Sequence, residues 1–360
     1  MTMPICSRVR RASRSERDRA HGPALSVSHP GARKRFGWGV AMVLLLVVAV
    51  GLSMTFGARD VGWPEVVAAL YGQVDTIGEA AVASRLPRTF LAILAGAALG
   101  LSGGVMQGLT RNPLADPGLL GVNAGAALAV VIGLAWFGIE DATLYIWTSI
   151  LGAGLTAVVV YAIASLGRGG ATPLRLALAG AVTTAALSSL TTAVVLPRGD
   201  IAGLVQSWMV GGVGGATRDQ IVPVLPFLLM GLVVALLSAR KLNLLALGDD
   251  TATGLGEKVA LARAMAAVAA VLLCGATTAV CGPIGFVGLV VPHACRLLAG
   301  SDYRWLLPFS ALGGAVLLTF ADVFGRLVAR PAELDVGIVT AFIGAPVFIW
   351  IVRRRKVGAL

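Results

Sequence analysis

The side chains best equipped to recognise a partner are three arginines. Arg85 and Arg88 bracket the Leu-Pro of RLPRTF, and Arg326 follows the acid of TFADVFGR. Cationic groups facing the carboxylates of an external protein set register and encounter rate. The plainer role of such arginines is snorkelling, with the stem along apolar surface and the head in water. Spacing alone does not bring Arg326 beside the other two. Asp322 precedes Arg326 by four residues, on one helix face, and is therefore first a partner for it. It is the one acid inside the apolar segments delimited below, which is thin equipment for an ion-coupled carrier with carboxylates, His or Lys at mid-membrane.

Catalytic motifs are missing. The chain has no GxxxxGK[ST] phosphate loop, no HExxH and no GxSxG. Gly254, Gly256 and Lys258 in GLGEK lack the spacing and the final Ser/Thr of a phosphate loop. The chain is expected not to be an enzyme, to hydrolyse no ATP by itself and to bind no cofactor. Cys6, Cys274, Cys281 and Cys295 form no CxxC pair, and three of them fall in or beside apolar runs, where cysteine acts as a small hydrophobe. Neither a disulfide nor a metal site is expected. His293 stands alone in VVPHACRLL, away from His21 and His29, and reads as structural.

The elements that carry these residues are membrane helices. Of the 360 residues 57% are hydrophobic and 13% charged, and the mean hydropathy is +0.86. A lipid core about 30 Å thick takes roughly 20 apolar residues per helix, and long continuous runs favour helices over barrel strands. Ten runs qualify, at about 38–56, 86–108, 119–137, 144–166, 174–196, 221–239, 259–281, 283–299, 305–328 and 336–352. The predicted fold is an all-α integral membrane protein, one domain over 37–353, between a basic tail at 1–36 and a short tail at 354–360. An even number of spans puts both termini on one side. With that side cytoplasmic, inner segments carry 19 of the 29 Lys and Arg, outer segments 5, and the spans 5, as the positive-inside rule asks. This predicts a multi-pass protein with both termini cytoplasmic.

The net charge of +11 does not signal nucleic acid, because nine cations crowd into the first 37 residues and four into Arg353 to Lys356. They anchor topology and can touch anionic lipid. The run after Phe36 ends in LSMTFGARD without a small-residue cleavage site, so it reads as a retained first span and not a signal peptide. The 46 glycines mostly let helices pack backbone to backbone. A further reading is a dimer seam of close-packed helices that opens alternately to each side.

Gly57 to Arg85 and Pro197 to Gln220 are the longer outer connections, the second able to form a short helix over IAGLVQSWMVGG. On the inner side, RKLNLLALGDDTATGLGEK at 240–258 predicts a short amphipathic helix over LNLLALG and a turn-rich return over GDDTATGLG. A faint echo links spans 2 to 5 with spans 7 to 10, CGPIGFVGLVVPH answering LTRNPLADPGLLGV. Five spans apart, the blocks enter from opposite sides, which makes the repeat inverted.

Three segments carry a resemblance to a known family: RLPRTFLAILAGAALGLSGGVMQGLTRNPLADPGLLGV, LNLLALGDDTATGLG, and the stretch from GPIGFVGLVVPH to GAPVFIW. In order and spacing they resemble the FecCD-type permease subunits of bacterial ABC importers for iron-siderophores, heme and cobalamin. The resemblance runs from span 1 to span 10. It implies a ten-helix subunit of the cytoplasmic (inner) membrane. It also implies pairing with a second permease subunit, identical or related, two ATP-binding subunits that consume the ATP, and an extracytoplasmic substrate-binding protein. By the resemblance, Arg85, Arg88 and Arg326 contact glutamates of the binding protein. Leu244, Leu245, Ala246, Leu247, Gly248, Asp249, Gly254 and Gly256 belong to the loop that docks into the ATPase. Gly96, Gly100, Gly103, Gly104, Gly108, Asn112, Pro113 and Pro117 are assigned to helix packing and the translocation seam. Family frequency favours a ferric siderophore as substrate, with heme and cobalamin open. A stand-alone secondary transporter and a non-transporting scaffold are the readings from other classes.

Overall fold

Short polar side chains set several of the helix starts. Thr76 accepts the Glu79 N–H at 3.2 Å while the Glu79 carboxylate takes the Thr76 N–H at 2.9 Å, a reciprocal cap. Asp141 and Asp302 cap the Leu144 and Arg304 N–H groups one way, as acceptors. The computed structural model describes residues 31–57, 59–139, 141–166 and 173–355. Most of the basic tail, with Cys6, His21 and His29, and the last five residues lie outside them.

The chain runs α1 (Ala32–Thr55), α2 (Trp63–Leu70), α3 (Ile77–Thr110), α4 (Val122–Phe137), α5 (Ala142–Ser165), α6 (Pro173–Val195), α7 (Gly199–Val210), α8 (Arg218–Ile221), α9 (Leu225–Ala246), α10 (Asp249–Gly254), α11 (Val259–Cys281), α12 (Val287–Ala299), α13 (Tyr303–Val328) and α14 (Val336–Arg355). Among the described residues there is no strand. Seven helical segments are long and apolar enough to cross a membrane, and three shorter apolar helices, α4, α12 and α14, complete the predicted ten places. The first helix begins at Ala32, ahead of the apolar run that follows Phe36. The IAGLVQSWMV segment is helical, as expected.

Helix α3 is the central element, packed by α13, α11 and α12. Its glycines make this possible. A methyl group at Gly96 would overlap the Gly314 carbonyl, one at Gly100 the Ser310 carbonyl, and one at Gly103 the Gly288 carbonyl. Gly104 faces Leu307, and Gly108 faces Tyr303 and Leu242. These glycines therefore seat α3 inside its own subunit.

The two chain breaks that suggested an internal repeat meet in the interior. The NPLADP turn folds through Asn112, whose Oδ1 accepts the Leu114 N–H at 3.0 Å, and Pro117 opens a single 3-10 turn. Against that turn, α12 starts only at Val287, after Phe286 with φ +67°. Pro292 inside α12 has no N–H for the Gly288 carbonyl. Gln107 of α3 supplies the donor, its Nε2 lying 3.3 Å from both the Gly288 and Leu289 carbonyl oxygens.

The connection at 240–258 reverses its predicted shape. Residues LNLLA extend α9, and the short helix is DDTATG. Gly248, at φ +110°, is the break, since few side chains tolerate that backbone. Asp249 and Asp250 then sit in the first turn of α10, where a helix favours negative charge.

Candidate functional site

At the face predicted to be outer, the ends of α1, α3 and α13 converge on the three arginines. Arg85 is only 7% exposed. It donates from Nη1 to the Met54 carbonyl at 2.8 Å and from Nη2 to the Arg59 carbonyl. Arg326 is 1% exposed. Its Nη1 donates to the Ser53 and Phe56 carbonyls at 3.1 and 3.2 Å. Its Nη2 reaches the Ser53 hydroxyl at 2.6 Å and the Asp322 carboxylate at 2.9 Å. Its Nε faces the Asp322 carbonyl at 3.4 Å. Both arginines thus satisfy the carbonyls that the end of α1 leaves unpaired.

Arg88 occupies the rim. It lies 2.8 Å from Asp322 through both Nε and Nη2 and pairs outward with Glu333. The structure therefore brings Arg88 and Arg326 together through one buried acid. Asp322 is the partner of Arg326 that its spacing suggested. Of the three arginines, Arg85 and Arg326 are held from within by backbone carbonyls and, for Arg326, by Asp322, and Arg88 is the one that reaches the rim.

At the opposite face, α10 hangs from three ion pairs. Asp249 accepts Arg263 of α11 at 2.8 and 3.1 Å and pairs with Arg111 at the end of α3. Lys241 and Glu257, 2.7 Å apart, close the base of the loop. Leu245 and Ala252 are buried, whereas Leu247 and Leu255 are 60% and 61% exposed on either side of α10. Gly254 ends the helix and Gly256 turns the chain at φ +83°. A short helix presenting two bare leucines and braced by charge is a surface that another protein can push on. Helix α3, with 34 residues, is about 51 Å long at 1.5 Å per residue, so one rod joins the outer arginines to Arg111.

Several functional candidates were not singled out in the sequence. Asp116 lay between predicted spans, yet its Oδ2 is 2.8 Å from where a Gly288 methyl would stand, against the first turn of α12, while its Oδ1 takes the Gly118 N–H at 2.7 Å. Nearby, Asn123 Oδ1 accepts from Cys274 at 3.0 Å and Thr278 at 3.2 Å. The acid between the two prolines of NPLADP was the available signal. Arg111 and Arg263 gave none, because their common partner is assembled by folding. Among the described residues no group of His, Cys, Asp or Glu could hold a metal.

The model of the FecCD transport family matches residues 45–354. The ferric enterobactin transport system permease protein FepD of Escherichia coli is 44% identical over 319 residues, covering 88% of this chain and 95% of that protein. The hemin transport system permease protein HmuU of Yersinia pestis is 38% identical, covering 88% and 95%. Among solved structures, a metal-chelate type ABC transporter in an inward-facing conformation matches with a TM-score of 0.75 and 30% identity, covering 88% of this chain and 98% of that one.

Proposed function

The chain belongs to the FecCD transport family, and on that premise we propose that it moves a ferric siderophore inward across the cytoplasmic membrane as the permease subunit of an ATP-driven importer. The observation that carries the substrate class is the 44% identity along 95% of a ferric enterobactin permease. Heme is the second reading, favoured by the 38% identity to a hemin permease over a similar span.

In this reading two permease subunits enclose the path, identical or related. A loaded binding protein docks at the outer ends of α3 and α13, where Arg88 and Glu333 stand at the rim. Arg85 and Arg326 shape that platform from beneath, and they reach a partner's carboxylates only on leaving the carbonyls of α1. On the inner face, α10 with Leu247 and Leu255 seats in an ATP-binding subunit, and Asp249 passes its movement to α3 through Arg111 and to α11 through Arg263. ATP is consumed by those subunits alone. Rigid rods and bistable contacts convert a small push into a switch of access.

The test is uptake of radiolabelled ferric enterobactin and of hemin by proteoliposomes holding this chain with its ATP-binding subunits and binding protein, with and without ATP. ATP-dependent uptake of the ferric siderophore supports the proposal. Uptake of hemin alone selects the second reading, and uptake without ATP or the ATP-binding subunits overturns the importer mechanism.

A further inference from the structure

Where α9 and α13 reach the inner face, one asparagine pins them together. Asn243 Nδ2 donates to Asp302 Oδ1 at 2.6 Å, and the Tyr303 N–H donates to Asn243 Oδ1 at 3.0 Å. Beside this fixed junction opens a cleft of about 540 Å³ lined by Leu236, Ala239, Arg240 and Arg304. Arg240 lies one turn before Asn243, and Arg304 follows Tyr303, so the same bracket holds both arginines at the cleft.

Their charges are uncommitted. Both side chains are exposed, and neither forms an ion pair among the described residues. The acid at hand is Asp302, whose Oδ1 already takes the Asn243 amide and the Arg304 N–H. Burial pushes this carboxyl up, but those hydrogen bonds and the charges of Arg304 and Arg35 outweigh it and hold it below the ordinary range. Arg35 adds a third cation, stacked 5.7 Å over the Trp305 ring. Trp305 is 41% exposed, at the level where membrane proteins place tryptophan among headgroups.

From the cleft an apolar stripe climbs α9 toward the membrane centre. Leu237, Leu236, Val233 and Leu229, at helical spacing, are all exposed. Two guanidiniums at the water edge with a greasy track running into the bilayer match one chemistry: a phosphodiester with acyl chains attached. We propose that this cleft binds an anionic glycerophospholipid of the cytoplasmic leaflet, its phosphate between Arg240 and Arg304 and an acyl chain along Leu236 and Val233. Free phosphate fits the guanidiniums but leaves the stripe uncovered. The site is independent of what the permease carries.

The experiment is native mass spectrometry of the full chain, purified in detergent and mixed with phosphatidylglycerol, phosphatidylcholine or inorganic phosphate, for wild type, Arg240→Gln/Arg304→Gln and Leu236→Trp. The expected result is a preference of roughly tenfold for phosphatidylglycerol over phosphatidylcholine in wild type, lost in the double variant and untouched by millimolar inorganic phosphate. Leu236→Trp fills the cleft while keeping both arginines, so it also loses the preference and decides the matter should the double variant not fold. No preference in wild type, a preference that survives both variants, or competition by inorganic phosphate overturns the proposal. So does a double variant that keeps its lipid but, in a parallel measurement on the chain co-purified with its ATP-binding subunits, sheds those subunits, because the arginines then belong to a protein contact.

Discussion

Asp322 of α13 stands between Arg88 of α3 and Arg326 of its own helix, 2.8 Å from one guanidinium and 2.9 Å from the other. The acid is 1% exposed, so two helices and the end of a third depend on one buried charge. Removing one partner of a buried pair costs far more than the pair is worth, since it strands the other charge.

Asp322→Asn is therefore expected to lower stability by about 3–5 kcal/mol. Thermal unfolding of the detergent-purified chain checks it. A melting temperature within a degree of wild type would mean that the two arginines find other acceptors.

Arg88 and Arg326 should separate by phenotype. Arg326→Ala leaves the Ser53 and Phe56 carbonyls without their donor, at about 1–3 kcal/mol for a buried unpaired group, and shows as a lower melting temperature. Arg88→Ala leaves Asp322 still paired with Arg326, so a smaller loss of stability is expected and its main effect is on affinity for the binding protein, measured by surface plasmon resonance on membranes held in nanodiscs. Equal losses of stability in both variants would count against this division.

Two helical glycines, Gly103 of α3 and Gly254 of α10, offer a matched comparison. Gly103→Ala drives a methyl into the Gly288 carbonyl, and is expected to cost about 1–3 kcal/mol as overpacking. Gly254→Ala meets open space and should be neutral or stabilising by up to about 1 kcal/mol. Size-exclusion recovery after graded heating reads both.

Asp249 links α10 to two helices. Half-exposed ion pairs contribute about 0.2–1 kcal/mol each, so Asp249→Asn, which removes two, is expected to weaken the link by up to roughly thirtyfold in equilibrium terms. In the reconstituted complex, hydrolysis stimulated by the binding protein should fall while basal hydrolysis persists. Arg263→Gln and Arg111→Gln should each give part of that loss. Full stimulation in Asp249→Asn would show that the ion pairs do not carry the coupling.

The sequence by itself determined the class, the ten apolar segments, the pairing of Asp322 with Arg326 and the family. Each depends on composition or on spacing along one element: apolar runs declare spans, a four-residue interval declares a helix face, and motif order declares kinship. Even the location of the inner loop was legible, although not its shape, because Gly248 alone decides where α9 stops and α10 begins.

The tertiary structure decided what faces what. That Arg85 and Arg326 turn inward to the end of α1, that Gly103 meets Gly288, that Gln107 replaces the donor lost at Pro292, and that Asp249 gathers Arg111 and Arg263 are contacts between residues far apart in the chain. Local periodicity carries no term for such pairs. In a membrane interior every backbone carbonyl must find a donor, and which side chain supplies it depends on the helices that packing brings alongside.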